Sequence, residues 1–222
     1  RDISATDSCT FAQAKVIEDA TNSRNISYNI SDSAANIAAG IGSDAAVITA
    51  ATTVAANTYA TVAELEVIGA DANAIVFSTK DTAANLAGAT AARILKAVNT
   101  IATTSANVTQ ATAIDTNTNA GTGGYNTFNI VDTDANVAGA GNTLLAKAGT
   151  VEVSGTSSVT HAATISAFAT AVTYSISDTA ANALTAVGDT YNEAVNITIT
   201  TDVTYEKAKA IDDASNTDNG GV

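Results

Sequence analysis

The sequence predicts an α/β fold, a tandem-repeat solenoid in which short parallel strands alternate with Ala-rich helices. Three observations lead to this prediction: one phrase recurs four times, β-branched alternating segments come before its aspartate, and Ala-rich segments come after it. Self-similarity at a period of about 20–50 residues is typical of solenoids, because one unit alone cannot bury its apolar face. We therefore expect neighbouring units to supply each other's core.

The recurring phrase, called the motif below, has an aromatic residue, an Asp four residues later and an Asn four residues after that. Its aspartates are separated by 49, 51 and 46 residues. Four copies at this spacing indicate a repeat unit of about 48 residues. The copies start at Tyr28, Phe77, Phe128 and Tyr174, with the polar pairs Asp32 and Asn36, Asp81 and Asn85, Asp132 and Asn136, and Asp178 and Asn182.

A second apolar phrase lies between the copies and sets the unit boundaries. Ile17, Ile114 and Ile211 are spaced by 97 and 97 residues, and a polar loop follows each of them. We therefore expect one repeat array over residues 1–222, with a partial unit at 1–24 and full units at 25–73, 74–122, 123–170 and 171–222.

The first half of the last unit shows the expected local structure. The segment from Tyr174 to Ser177 alternates apolar and polar residues and predicts a strand. Asp178 stands where a helix N-cap is expected, because its carboxylate can accept backbone N–H groups of the next turn. The Ala-rich residues from Thr179 to Val187 predict a short helix.

The second half repeats the plan. Residues Ala194 to Thr200 alternate and predict another strand, and Thr201 or Asp202 is expected to cap a helix that runs to about Ala214. Strands joined by helices must run parallel, because the helix returns the chain to the same edge. Half-turns of about 24 residues therefore stack into a parallel sheet on one side with Ala-rich helices on the other.

Composition and charge exclude several classes of function. The net charge is −13, with 22 acidic and 9 basic side chains, so phosphate backbones and anionic bilayers are both disfavoured. The sequence has no apolar run of about 18 residues, so no transmembrane helix is predicted, and no signal peptide is visible. We expect no nucleic-acid partner and no membrane insertion, and we take the chain to be a processed product or an internal segment.

The motif resembles repeats of very large bacterial extracellular proteins. The Asp-Thr-Ala-Ala-Asn phrase after a Tyr-Ser-Ile-Ser strand, among Thr-rich strands and Ala-rich helices, is similar to repeats of adhesin-like, surface-layer-like and hemolysin-type proteins. The resemblance covers nearly the whole chain and implies an extracellular or cell-surface location. It carries no defined activity, and the calcium-binding nonapeptide of the hemolysin-type relatives does not occur here.

The motif aspartates and asparagines have a structural interpretation and a ligand-binding one. Equivalent positions of a solenoid stack into columns, so we expect Asp to cap helices and Asn to form a ladder bonded to the backbone. The alternative is a row of cation sites, because hard cations prefer carboxylate and carbonyl oxygen. We favour the structural interpretation, since a residue that recurs in every unit serves the repeat.

Calcium is kept as the one candidate cofactor. The oxygen-rich loop that holds Asp212, Asp213, Asn216 and Asp218 faintly resembles a calcium loop, but it lacks the glutamate that an EF-hand has at its twelfth position. We therefore expect a plain turn there.

No constellation of reactive side chains is visible. His161 is the only histidine and Cys9 the only cysteine, so neither a Cys-based zinc site nor an intrachain disulfide can form. Nothing selects a nucleophile to accompany His161. We expect a protein without catalytic activity.

The leading hypothesis is a structural scaffold segment that self-associates or continues into further repeats, as a stalk, adhesin, surface layer or filament subunit. Two alternatives stay open: a glycan- or protein-binding adhesion module, and a virion fibre or decoration protein.

Overall fold

The computed structural model describes residues 3–20, 26–117, 126–186 and 189–215. The fold is α/β, and every strand pair in the described residues is parallel. The chain forms two compact units, one of residues 1–104 and 113–127 and one of residues 105–112 and 128–222. Helix α6 (Val108–Thr116) has residues in both units.

The first unit holds two parallel sheets. The strand order in the first sheet is β1-β2-β3-β4 and in the second β5-β6-β7, so neighbours in the chain are neighbours in the sheet. Its strands are β1 (Ile3–Cys9), β2 (Ile26–Asp32), β3 (Thr53–Ala56), β4 (Ile75–Val76), β5 (Thr79–Asp81), β6 (Thr100–Ala102) and β7 (Asn126–Thr127). Its helices are α1 (Phe11–Asp19), α2 (Ala34–Ala50), α3 (Val62–Ile68), α4 (Ala83–Gly88) and α5 (Ala91–Ile94).

The second unit holds one parallel sheet with the order β11-β10-β9-β8, again in chain sequence. Its strands are β8 (Ile130–Asp132), β9 (Val151–Val153), β10 (Val172–Asp178) and β11 (Ala194–Ile199). Its helices are α7 (Asp134–Ala140), α8 (Asn142–Leu145), α9 (Val159–Ser166), α10 (Ala180–Ala183), α11 (Asp189–Asn192) and α12 (Tyr205–Ser215).

Two kinds of layer alternate along the chain. A motif strand ends at a motif aspartate and leads into a motif helix, which is α2, α4, α7 or α10. The other layers have an intervening strand, which is β1, β3, β6, β9 or β11, and an intervening helix, which is α1, α3, α6, α9 or α12. The motif aspartates Asp32, Asp81, Asp132 and Asp178 pair with Ala56, Ala102, Val153 and Ile199 of the next intervening strand.

The motif aromatics are among the largest fully buried side chains of the two units. Tyr28, Phe77, Phe128 and Tyr174 are all buried. The two tyrosine hydroxyls are not left without partners, since Tyr28 donates to the Val47 carbonyl at 2.8 Å and Tyr174 to the Thr190 carbonyl at 2.9 Å. A copy can therefore have Tyr in place of Phe wherever a helix carbonyl lies within reach of the ring's para position.

The strands differ from the prediction in their continuity. In the second and third copies the motif strand is interrupted at its aromatic residue, which separates β4 from β5 and β7 from β8. In the first and last copies the strand is continuous through β2 and β10. We expected one sheet, and the described strands fall into three sheets instead.

The helices also differ from the prediction. A second short helix, which is α5, α8 or α11, follows three of the motif helices, and α2 is kinked at the non-helical Asp44. Helix α10 is found at Ala180–Ala183, whereas the prediction carried it to Val187, which lies outside the described residues. The predicted single helix after each motif strand is therefore two helices or one kinked helix.

Candidate functional site

The four motif aspartates share one geometry. Each is the last residue of its strand, and each uses both carboxylate oxygens as acceptors. Oδ1 accepts the N–H of the next residue at 2.7–2.8 Å and the Nδ2 of the motif asparagine at 2.8–2.9 Å. The donating amides are those of Asn36, Asn85, Asn136 and Asn182.

Oδ2 of each motif aspartate contacts a different helix. It accepts the backbone N–H of the first residue of the preceding intervening helix, at 2.8–3.0 Å. These first-residue amides have no partner inside their own helix, so an aspartate from the next layer satisfies a donor that the helix leaves open. The donors are Phe11 for Asp32, Val62 for Asp81, Val108 for Asp132 and Val159 for Asp178.

The predicted cap position is therefore wrong by one residue. The N-caps of the motif helices are Ser33, Thr82, Thr133 and Thr179, whose hydroxyls accept the N–H of the motif asparagine. The aspartate stands just before the N-cap and stabilises the start of the preceding intervening helix instead. The asparagine side chains hold the aspartate of their own copy and do not form the backbone-bonded ladder that we expected.

A reciprocal bond comes from threonine side chains, of which the sequence singled out only Thr201, as a cap of the last helix. The first N–H of the motif helix donates to a threonine hydroxyl just beyond the next intervening strand, at 3.0 Å in three copies. The pairs are Ala34 with Thr58, Ala83 with Thr104 and Ala180 with Thr201. Thr201, predicted to cap the last helix, therefore satisfies α10, while Thr204 accepts the Lys207 N–H at the start of α12.

The third copy departs from this scheme at Gly155 and at Asp134. Gly155, with φ of 89°, stands where the other copies have threonine, and Asp134 replaces the alanine that begins the motif helix. Asp134 Oδ2 accepts the Ser158 N–H at 3.2 Å and lies 2.6 Å from His161 Nδ1. His161 thus forms a polar pair with Asp134 within the second unit, at the start of α9.

The hydrogen bonds lower the pKa of the motif carboxylates. Burial by itself raises the pKa of Asp32, Asp81 and Asp132, but the bonds from the asparagine amide and two backbone N–H groups outweigh it. For Asp178 the Val159 N–H is the largest influence, and the pKa is again lowered. All four carboxylates therefore stay ionised to a lower pH than an ordinary aspartate, because each accepts several hydrogen bonds.

The calcium candidates lie at the end of the described chain. Asp212 and Asp213 are part of α12. Both carboxylate oxygens of Asp213 accept hydrogen bonds from Lys209 Nζ, at 2.8 and 2.9 Å. Asn216 and Asp218 lie outside the described residues. In residues 3–20, 26–117, 126–186 and 189–215, no three His, Cys, Asp or Glu side chains form a group able to hold a metal ion.

The remaining candidates have structural surroundings. Cys9 is buried, its Sγ contacts the Asn29 carbonyl at 3.3 Å, and burial raises the pKa of its thiol. Among the described tyrosines, those exposed are Tyr59 on the first unit and Tyr205 on the second. A binding module would be favoured by exposed Tyr or Asn side chains clustered on one strand face, and neither unit has more than one exposed tyrosine among its described residues.

Comparison with models of protein families, with curated proteins and with solved structures finds no match for this chain. Within the described residues, no helix has both the length and the apolar character required to cross a bilayer.

Proposed function

We propose that the chain is a segment of a tandem-repeat solenoid with a scaffold role in a secreted or cell-surface protein, as a stalk, adhesin, surface layer or filament subunit. The observation that supports it is how the recurrent polar residues are used. In all four copies the motif aspartate bonds two backbone N–H groups and an asparagine of its own chain. The residues that define the repeat therefore join one layer to the next.

The solenoid itself is part of this proposal. Its support is that strands follow each other in chain order within each sheet and that successive layers are bonded in the same way. The aspartate bond reaches back 19–24 residues and the threonine bond reaches forward 21–24 residues, which is one layer in each case. Such nearest-neighbour bonding is what a one-dimensional array requires.

The location and partners are proposed from composition and charge. An acidic, Lys-poor surface with a net charge of −13 suits an exposed, soluble array and repels phosphate backbones. We propose that its partners are neighbouring repeats or copies of the same protein. No cofactor and no catalytic role are part of the proposal, and calcium is the alternative that the experiments below address.

The architecture is tested by removing one unit in phase. Deleting residues 82–132 joins Asp81 to Thr133, which restores an Asp-Thr motif at the junction and removes one copy. In a solenoid two layers disappear, so the maximum dimension from small-angle X-ray scattering should shorten by about 10 Å, at about 4.8 Å per layer. The shortened chain should unfold cooperatively and keep its circular dichroism spectrum.

The matched control is a deletion that ends out of phase. Deleting residues 82–119 joins Asp81 to Ala120, which destroys the motif helix at the junction, and this variant should lose its fold. If the in-phase deletion unfolds the chain as completely as the out-of-phase one, the solenoid proposal is wrong.

Location and cation dependence have their own experiments. An antibody raised against the chain should label intact cells of the source organism as strongly as permeabilised ones, and labelling only after permeabilisation would contradict a surface location. The thermal unfolding midpoint should be the same with excess calcium and with excess chelator. A calcium-dependent rise would mean sites that bind the folded state, and the acidic loops would then be functional.

A further inference from the structure

The layer formed by β11 and α12 has an open face in the second unit. In the described residues, β11 pairs with β10 on one side and with no strand on the other. A groove of about 280 Å³ runs along this face, lined mainly by the apolar side chains of Ile197, Ile199, Val203, Ala208 and Ile211. An open sheet edge beside an apolar groove is the arrangement that accepts an added strand.

The preceding intervening layer in this unit shows what such a face binds. Ser157 donates its N–H to the Ser175 carbonyl at 2.7 Å, and its own carbonyl accepts the Ser177 N–H at 2.9 Å. Two residues on, the Val159 N–H donates to Asp178 Oδ2 at 3.0 Å. A motif strand is thus held by two backbone bonds and one bond from its aspartate to the helix start.

The other intervening layers repeat these three bonds. Ala60 bonds Ser78 and Lys80 at 2.8 and 2.9 Å, and Val62 bonds Asp81 at 2.9 Å. In the second unit, Ala106 bonds Asn129 and Val131 at 2.8 and 2.9 Å. There, the Val108 N–H bonds Asp132 at 2.8 Å. The same donors and acceptors therefore meet a motif strand in the layers of α3, α6 and α9.

Val203 and Tyr205 occupy the same positions in the last layer. Ser154 and Thr200 each donate to the carbonyl of the preceding motif aspartate, which aligns Ser157 with Val203 and Val159 with Tyr205. Ser157 is fully buried, whereas Val203 is 38% exposed and Tyr205 78% exposed. Among the described residues no acceptor contacts the N–H of Val203 or of Tyr205. In the part of the chain that the structure describes, the two N–H groups that hold a motif strand elsewhere are therefore unpaired in this layer.

The start of α12 favours an anion at this position, because the backbone N–H groups of a helix start carry partial positive charge. The side chains of the first turn are balanced, since Lys207 follows Glu206. The third residue of α12 is Lys207, where the equivalent residues of α3 and α6 are Glu64 and Gln110.

We propose that the open face of β11 and α12 binds an extended motif strand, Tyr/Phe-x-Ile-x-Asp, from another repeat unit of the same array. The strand lies parallel to β11, its backbone bonds Val203, and its aspartate accepts the Tyr205 N–H. Its isoleucine and aromatic side chains fill the groove over Ile197 and Ile211. This inference rests on the proposed repeat function, because it takes the occupant from the repeat itself.

The test uses a synthetic peptide with the sequence of residues 172–184, free and also fused behind residue 222 through a flexible linker. Fusion raises the effective concentration to the millimolar range, so that a weak site is still occupied. NMR amide signals of Val203 and Tyr205 report docking at the proposed register. The matched peptide carries Ala in place of the motif Asp, and the Val203→Pro variant of the chain lacks the N–H that the strand needs.

The expected result is a saturable shift of the Val203 and Tyr205 signals, about tenfold weaker binding for the Ala peptide, and loss of binding with Val203→Pro. Circular dichroism shows whether that variant keeps its fold, and the Ala peptide tests the same bond without altering the chain. Unchanged Val203 and Tyr205 signals with both the free and the fused peptide, or equal binding of the Asp and Ala peptides, would overturn the proposal. If the in-phase deletion variant folds but the peptide does not bind, only the docking proposal is wrong. If the in-phase deletion variant does not fold, the proposed repeat function is wrong.

Discussion

Asp134 Oδ2 lies 2.6 Å from His161 Nδ1 and also accepts the Ser158 N–H, so one carboxylate takes over a task that a residue of the helix performs elsewhere. In the intervening helices α1, α3 and α6, the third residue accepts the N–H of the N-cap residue. Gln13 does so for Thr10 at 2.9 Å, Glu64 for Thr61 at 2.8 Å and Gln110 for Asn107 at 3.1 Å. In α9 the third residue is His161, and the Ser158 N–H is instead accepted by Asp134 of the motif helix.

This compensation predicts a rescue. Asp134→Ala leaves the Ser158 N–H without an acceptor and should lower the free energy of unfolding by about 1–2 kcal/mol. Adding His161→Gln restores the arrangement seen at Gln13 and Gln110, so the double variant should recover most of the loss. Urea unfolding of the wild type, both single variants and the double variant gives the coupling. Strictly additive effects would show that Asp134 does not replace the capping side chain.

The motif aspartates predict loss of stability in acid. Hydrogen bonds hold the pKa of each folded carboxylate below its ordinary value of 3.8, so the unfolded chain takes up protons first as the pH falls. Their contribution is therefore complete above about pH 5 and is lost progressively as the pH falls from about 4 through the lowered pKa of the folded carboxylates. Urea midpoints measured between pH 6 and pH 2.5 should be level at first and then fall steeply. A midpoint that rises on acidification through pH 4 would contradict this account of the carboxylates.

Two glycines of α2 predict opposite effects of the same change. A Cβ on Gly40 would overlap the Phe11 ring, whereas one on Gly42 would meet nothing within 4 Å. Gly40→Ala should therefore destabilise the chain by about 1–3 kcal/mol through overpacking. Gly42→Ala should stabilise it by up to about 1 kcal/mol through helix propensity. Thermal unfolding of both variants checks the difference, and equal shifts would mean that α1 does not pack on α2 at Gly40.

Ser157 predicts a stabilising substitution. Its Oγ is buried without a hydrogen-bond partner in the described structure, and the equivalent residues Ala60 and Ala106 have no hydroxyl. Ser157→Ala removes an unsatisfied polar atom and keeps both backbone bonds, so the free energy of unfolding should rise by about 1 kcal/mol. Ser157→Thr is the control, because it keeps the hydroxyl and adds a methyl group to a fully buried position. A lower stability for the Ala variant would mean that the hydroxyl has a partner after all.

The alternation of parallel strands and helices could be predicted from local patterns, because alternating strands and Ala-rich helices leave a direct imprint on the sequence. Strand β11 was expected at Ala194 to Thr200 and is found at Ala194–Ile199. A strand was expected from Tyr174 to Ser177 and is found as β10 at Val172–Asp178. These differences are of the size that frayed helix and strand ends produce.

The bonds of Asp178 could not be predicted in the same way. Asp178 and Thr179 are adjacent oxygen-bearing residues, and either is a good N-cap by type. The choice is made by Val159, whose N–H lies 19 residues earlier in the chain and draws the carboxylate out of the cap position. The roles of Thr201 and Asp134 depend on partners equally distant in sequence, which no local pattern records.

The most direct test of the central claim is amide hydrogen exchange at the first residues of the intervening helices. Phe11, Val62, Val108 and Val159 each donate to a motif aspartate, so their amides should be protected, while that of Tyr205 should exchange fast. Asp178→Ala should abolish the protection of Val159 and leave that of Val62 unchanged. If Val159 exchanges as fast as Tyr205 in the wild type, or stays protected in the variant, the motif aspartates do not join the layers and the scaffold account loses its basis.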